Sequence, residues 1–380
     1  MKVMDLTPFR QNILILFLAS LVVCLPACDG LGRSTEEYIE GAQAYLDQKD
    51  FSAAVVELKS ALQQDANSTE ARKLLGDVYL QIGKGEDAEK EIRRAISLGM
   101  SPASGANSLA QALMLQGEFQ QVLKITVDPG AVPKVHEAKL LALHGDAHLA
   151  LSDLTSAEKS YDRAIDLDAS SREALTGKAR LKASRGDIDG ARAMAEKVAE
   201  SNPSFAPVWV FLGDLALTQE QLDEAEAMYS RAIEQSHYLG ANSLKRAGVR
   251  LQQNDYAALK RDVDALLKAD YLSPHLFYFK GRIDFNEEAY SQAEEAFKSA
   301  LELAPKFWPA KVYLASTYLA LDQPQQALDL ALQLQSDAPT DRYYLKGLLG
   351  ATYLRTGQFE QAKKALNTLL AENPHDVYAL

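Results

Sequence analysis

One spacing constrains this chain more than any other feature: the same helical pattern returns every 34 or 35 residues. Aligning FSAAVVELKSAL (51–62), GEDAEKEIRRAI (85–96), LTSAEKSYDRAI (154–165), LDEAEAMYSRAI (222–233) and YSQAEEAFKSAL (290–301) superposes Ala54, Ala88, Ala157, Ala225 and Ala293. The same phase continues through Val122, Ala191, Leu259, Ala327 and Ala362, giving seven intervals of 34 residues and two of 35. Twelve residues before each of these lies a second small residue: Ala42, Gly76, Ala110, Gly145, Ala179, Gly213, Ala247, Gly281, Ala315 and Gly350. Small side chains let two antiparallel helices approach closely, and larger apolar residues one turn away fill the flanks. Tyr79, Tyr318 and Tyr353 follow the first small position by three residues; Leu58, Ile92, Tyr161, Tyr229, Phe297 and Leu366 follow the second by four. Pro203, Pro305, Pro339 and Pro374 fall where the second helix should stop. At the other end, Ser34 and Glu37 have the spacing of a capping box and open the first helix.

A unit this short cannot bury its apolar face alone, so ten stacked pairs form one solenoid, where 380 residues would otherwise suggest two or three domains. The fold class is therefore all-α. Trp209-Val210-Phe211-Leu212-Gly213 completes a familiar opening, and over residues 35–374 the array resembles the tetratricopeptide repeats. That resemblance implies a right-handed superhelix whose groove is lined by the first helix of each repeat, at its second, fifth, ninth and twelfth positions. Repeats three and seven fit least well. TVDPGAVPKVHE (126–137) is expected to be an irregular connection and a local hinge. HDVYAL (375–380) reads as the opening of a further repeat, so the array is expected to run on beyond residue 380.

The first 27 residues follow another logic. Lys2 and Arg10 precede the uninterrupted apolar run Ile13 to Leu25, which is shorter than the roughly 20 residues a membrane-spanning helix requires and fits a signal-peptide core. Leu25-Pro26-Ala27-Cys28 resembles a bacterial lipobox, which implies that residues 1–27 are a lipoprotein signal peptide and that Cys28 carries the lipid. The alternatives are an ordinary signal peptide cleaved near Ala27, or an uncleaved anchor. On the lipoprotein reading Cys24 leaves with the leader, so the two cysteines of the chain are not a disulfide. Several acyl chains hold a protein to a bilayer durably where one does not. Residues 28–34 are then a short tether, and the solenoid faces the periplasm of a bacterial envelope. Asp29 resembles the residue that favours inner-membrane retention in lipoproteins of enteric bacteria; outer-membrane placement is the alternative.

Catalytic and cofactor motifs are scarce. A formal charge of −12 argues against nucleic acid as a partner, because phosphate contacts need a basic surface. GKGEDA (83–88) matches a dinucleotide-binding pattern but falls on the turn between two helices, where no strand precedes it. His144 and His148 have the i, i+4 spacing of a zinc pair, yet both occupy recurring packing positions and lack a third ligand nearby, so they read as core histidines. No cofactor, metal or catalytic residue is expected, and the chain is not read as an enzyme. Function then lies in the groove. Its fifth positions are Ile39, Lys73, Asn107, Ala142, Thr176, Val210, Leu244, Tyr278, Val312 and Gly347, which do not supply the Lys, Asn and Arg set that some tetratricopeptide domains use for a terminal carboxylate. Aromatic residues gather toward the C-terminal third instead: Tyr278, Phe285, Trp308, Tyr313, Tyr343 and Tyr344, near Arg282. Tyr278, Arg282, Phe285, Tyr313 and Tyr344 are the candidate partner-binding residues, since aromatic side chains with a polar edge make good anchors. Alternatively, several of them are inter-repeat core.

The order of features, a lipobox followed almost at once by FSAAVVELKSALQQDANSTEARKLLGDVYLQIGKGEDAEKEIRRAISLGM (51–100) and ANSLAQALMLQGEFQQVL (106–123), resembles the tetratricopeptide-repeat lipoproteins of the PEP-CTERM/exosortase system. Those proteins accompany exopolysaccharide production and the sorting of surface proteins in Gram-negative bacteria, and no catalytic residue carries over from them. The resemblance implies a non-enzymatic scaffold that recruits other envelope proteins of polysaccharide export or protein sorting. A groove that guides the polysaccharide itself is one alternative, and a general outer-membrane assembly factor is another.

Overall fold

A computed structural model describes residues 33–236, 240–269, 271–337 and 343–372. The leader, Cys28, Asp29, Pro339, Pro374 and residues 375–380 lie outside the described residues. Within them the regular structure is helical throughout, as the repeat spacing requires. The first five pairs are α1 (Thr35–Asp47) with α2 (Phe51–Gln64), α3 (Thr69–Gln81) with α4 (Gly85–Ser97), α5 (Pro102–Gln116) with α6 (Phe119–Val122), α7 (Lys134–Ala150) with α8 (Leu154–Leu167), and α9 (Arg172–Ser184) with α10 (Ile188–Ser201). The second five are α11 (Ala206–Thr218) with α12 (Leu222–Gln235), α13 (Gly240–Gln252) with α14 (Tyr256–Lys268), α15 (Pro274–Asn286) with α16 (Tyr290–Leu303), α17 (Trp308–Ala320) with α18 (Pro324–Asp337), and α19 (Tyr343–Arg355) with α20 (Phe359–Glu372).

Local chemistry sets the boundaries. Ser34 and Glu37 form the reciprocal capping box at α1. Asp50, Asp153, Asp187 and Asp255 each cap a second helix by accepting a backbone N–H three residues on. Pro203 and Pro305 stand just past the ends of α10 and α16. Every turn within a pair passes through the left-handed region at one position, namely Lys49, Gly83, Gly117, Ser152, Gly186, Glu220, Asn254, Glu288, Asp322 and Gly357. Glycine adopts that conformation without strain, whereas other L-residues lose roughly 1–2 kcal/mol there.

Within each pair the packing is a matched knob and notch. Where the first helix offers glycine, the second answers with a large side chain: Ile92 against Gly76, Tyr161 against Gly145, Tyr229 against Gly213, Phe297 against Gly281 and Leu366 against Gly350. A Cβ added at Gly213 would sit 2.7 Å from Cε1 of Tyr229, so the ring occupies the space that a side chain would need. In three pairs whose first residue is alanine the register brings smaller partners, Ala195, Val263 and Ala331 for Ala179, Ala247 and Ala315, whereas Ala42 has Leu58 at that register. Tyr161 also presses on Gly177 of the following repeat, locking two units together.

Among the described residues each helix packs chiefly on its near neighbours along the chain. First helices also touch first helices across most repeat boundaries, whereas successive second helices make no comparable contact. The first helices therefore form the tighter, inner surface of the curve, and their polar positions line the groove.

Repeats three and seven depart from the pattern for different reasons. The second helix of repeat three shrinks to α6, a single turn of four residues, and the chain runs irregularly to Pro133 before the 17-residue α7 begins. This connection is irregular as expected, held at its start and exposed along most of 128–136. Ile125 and Val127 pack against the N-terminal core, and His144 Nε2 donates to the Ile125 carbonyl at 3.0 Å. Burial, reinforced by nearby His148 and Arg163, lowers the His144 pKa from its ordinary 6.5. His148 lies 3.6 Å from Asp153, and no cluster of three metal-ligating side chains occurs among the described residues. The stretch 83–88 is the α3–α4 turn running into α4. Repeat seven keeps two full helices, and its oddity is chemical. The Asp262 carboxylate is buried between Arg246 at 2.6 Å and Arg250 at 2.7 Å, with Arg250 also bound to Glu226 at 2.9 Å. The same phase holds Glu57 with Arg33 and Glu91 with Arg72 in the first two repeats, but in repeat seven two guanidiniums close on one buried carboxylate.

Candidate functional site

The ninth position of each first helix follows the small residue directly and faces the groove. In repeats two, four and six it is an aspartate next to the notch glycine: Asp77, Asp146 and Asp214. Each of these carboxylates is neutralised from within the chain. Asp77 receives Lys73 at 2.6 Å and the Ser108 hydroxyl at 2.7 Å. Asp146 receives the Tyr161 hydroxyl at 2.7 Å and Arg180 of the next repeat at 2.9 Å. Asp214 receives the Tyr229 hydroxyl at 2.7 Å and Lys245 of the next repeat at 2.6 Å. Burial and the adjoining carboxylate push both tyrosine pKa values far up, so these phenols remain donors. A shallow cleft of ≈260 Å³ opens here, with Lys139, Asp146, Glu173 and Arg180 on its walls.

Repeat eight has the same glycine and the same knob, but the knob is Phe297 and the ninth position is Arg282. The guanidinium lies 3.9 Å above the Tyr313 ring, donating to the Tyr278 hydroxyl at 2.9 Å and the Tyr256 hydroxyl at 3.2 Å. Asp284 is held by Lys280 at 2.6 Å, and no carboxylate among the described residues pairs with Arg282. Around it the aromatic rings interlock edge to face: Tyr278 with Phe307 at 5.5 Å between centroids, Tyr278 with Tyr313 at 5.9 Å, and Phe285 with Tyr313 at 6.0 Å.

Four of the five candidate groove residues, Tyr278, Arg282, Phe285 and Tyr313, thus form one half-buried cluster over the core of repeats eight and nine. The three rings pack against the inter-repeat core, and all four residues are only partly buried. Tyr344 falls at the start of α19, and its side chain is outside the described set. Trp308 packs instead against the core of repeats nine and ten. Sequence reasoning missed Tyr256, which opens the second helix of repeat seven. A signal was present, because an apolar or aromatic residue recurs at that phase in Phe51, Leu154, Ile188, Leu222, Tyr290 and Phe359. The repeat-defining residues Ala54, Ala88, Ala157, Ala225, Ala293, Ala327 and Ala362 are all buried at helix contacts.

Family models described as tetratricopeptide repeat match residues 45–99 and 285–349, 142–193 and 176–238, and 343–376. The chain is 22% identical over 230 residues to Hsp70-Hsp90 organizing protein 1 of Glycine max, an alignment covering 51% of this chain and 40% of that protein. It is 26% identical over 171 residues to Protein STIP1 homolog of Dictyostelium discoideum, covering 43% and 28%. The chain therefore spans less than half the length of these relatives. Among solved structures it is similar to the Cut9-Hcn1 hetero-tetramer of APC/C, at 13% identity and a TM-score of 0.48 over 92% of this chain and 95% of that one. Yeast Tom70 is similar at 14% identity and a TM-score of 0.41, over 90% and 85%.

Proposed function

The chain belongs to the tetratricopeptide-repeat family, and we propose that it is a non-enzymatic scaffold whose aromatic groove at repeats seven to nine holds a protein partner. One observation carries this reading: a half-buried aromatic cluster at the groove surface, with phenol hydroxyls and a guanidinium at its edge. Such composition is what binding hot spots are made of. A relative named for organizing Hsp70 and Hsp90 supports protein recruitment in general terms. The N-terminal lipobox at Cys28 adds the setting: a lipid-anchored protein facing the periplasm, with Asp29 favouring the inner membrane. The resemblance to PEP-CTERM/exosortase lipoproteins adds the pathway, recruitment of proteins that sort surface proteins or export exopolysaccharide.

A groove that guides the polysaccharide itself is the weaker reading. Sugar rings stack on flat aromatic faces, but the cluster rings meet edge to face, and one face of Tyr313 is covered by Arg282. A chain of formal charge −12 would also repel an acidic polymer. The test is photo-crosslinking in native membranes, with the probe placed in turn at positions 278 and 313. Adducts to one or two envelope proteins are expected. Adducts to polysaccharide alone would make the groove a glycan track, and their complete absence would move the binding surface elsewhere.

A further inference from the structure

Arg282 differs from Lys73, Arg180 and Lys245 in lacking a carboxylate among the described residues, and the repeat explains why. Arg180 stands three repeats earlier at the same ninth position, and it is neutralised by Asp146, which lies one repeat before it at that position. The residue related in that way to Arg282 is Gly248. A Cβ built on Gly248 would approach only Phe279 Cζ, at 3.8 Å, so the surface there is open. We propose that Arg282 is a specificity-determining residue that receives a carboxylate from an aspartate or glutamate within an extended segment of the protein partner. The inference rests on the groove reading above and adds the chemistry of what it binds.

Three features fit that occupant. A guanidinium offers five N–H donors in a planar fork that matches a carboxylate, and only two of its contacts here are intramolecular hydrogen bonds. The Tyr278 and Tyr256 hydroxyls accept from Arg282, so each keeps its own O–H to donate onward to the incoming oxygen pair. Charge-assisted bonds of this kind are shorter and stronger than neutral ones, and they select an acid over its amide. Beside the charge, the half-buried edges of Tyr278, Phe285 and Tyr313 offer apolar contact to the residues flanking the acid. The partner segment is therefore an acidic residue set among apolar or aromatic ones.

The test uses the full chain and a phage-displayed library of random 12-residue peptides. Selected peptides are synthesised with and without their Asp or Glu changed to Asn or Gln, and titrated by fluorescence anisotropy. Acid-bearing peptides should dominate, and the amide versions should bind at least tenfold more weakly. Arg282→Gln should weaken the acidic peptides to the same degree and erase the difference between acid and amide. Gly248→Asp should do likewise, because it supplies an internal carboxylate of the kind Asp146 gives Arg180. Arg180→Gln should leave binding unchanged, and thermal melts of all variants establish that each is folded. Suppose binding is lost in Tyr278→Ala/Tyr313→Ala but stays within twofold in Arg282→Gln and in the amide peptides. Then the carboxylate proposal falls and the groove reading stands. If no peptide responds to the double tyrosine variant, both fall. Binding of tetragalacturonate that depends on Arg282, with no peptide doing so, would reassign the site to an acidic glycan and overturn the proposal.

Discussion

Repeats four and eight share one architectural joint and end with opposite chemistry at the groove. Both place glycine in the first helix against a fully buried ring in the second, Gly145 with Tyr161 and Gly281 with Phe297. In repeat four the ring carries a hydroxyl, which needs a buried acceptor, and Asp146 supplies it; the same acid then claims Arg180. In repeat eight the ring has no hydroxyl, so nothing in the core asks for an acid beside the glycine, and the position is free to carry Arg282. Repeat six follows repeat four, through Tyr229, Asp214 and Lys245. Where the knob is a ring, its hydroxyl goes with a groove closed on itself; in repeat two the knob is Ile92, and Lys73 and Ser108 close Asp77 without one.

The largest test removes the shared joint. Tyr161→Ala and Phe297→Ala should each cost about 3–5 kcal/mol in urea unfolding, as expected for emptying a fully buried aromatic site. A loss below about 1 kcal/mol in either would mean that the glycine notch collapses and is no matched joint. The next exchanges the rings. Phe297→Tyr should cost about 1–3 kcal/mol by burying a hydroxyl without an acceptor, and adding Arg282→Asp should recover most of it. Failure of that rescue would break the coupling between ring and ninth position. The reverse change, Tyr161→Phe, should cost about 1 kcal/mol because Asp146 keeps Arg180. At the left-handed turn the two repeats are alike, so Ser152→Gly and Glu288→Gly should each stabilise by about 1 kcal/mol in thermal melts. Unequal gains would locate a difference outside the joint.

The smallest effect is one of pH, and it marks repeat four alone. The His144 pKa is lowered on folding, so the unfolded chain binds its proton more readily. Stability from this residue is complete above about pH 6.5 and is lost as pH falls through the lower folded value. The part of the acid slope that begins near 6.5 should vanish in His144→Gln, read from unfolding midpoints between pH 7 and pH 5.

Much of this was written plainly in the chain, because the spacing of Gly76, Ala88, Gly145, Ala157 and their equivalents is itself the helix contact. The turns were not. A left-handed residue is advertised where it is Gly83, Gly117, Gly186 or Gly357, but Lys49, Glu220 and Glu288 do the same work with no sign in their side chains. The polar core of repeat seven was visible only as poor fit, since Arg246, Arg250 and Asp262 read as surface until the fold brings them together. At the site, Tyr278, Phe285 and Tyr313 stood out by composition. The meaning of Arg282 did not, because it depends on a glycine 34 residues away and a hydroxyl missing from a ring on another helix.

Tyr161 reaches across the boundary of its own repeat to Gly177, and this sets a rule of grammar for the array. A unit can be moved, as a word is in a sentence, only where its neighbours accept its side chains. The unit ending with Tyr161 cannot be followed by any successor that carries a side chain where Gly177 stands. Gene rearrangement is constrained here, as it is where Gly85 of repeat two meets the Ala112 backbone of repeat three, so repeats four and five should be inherited as a single phrase.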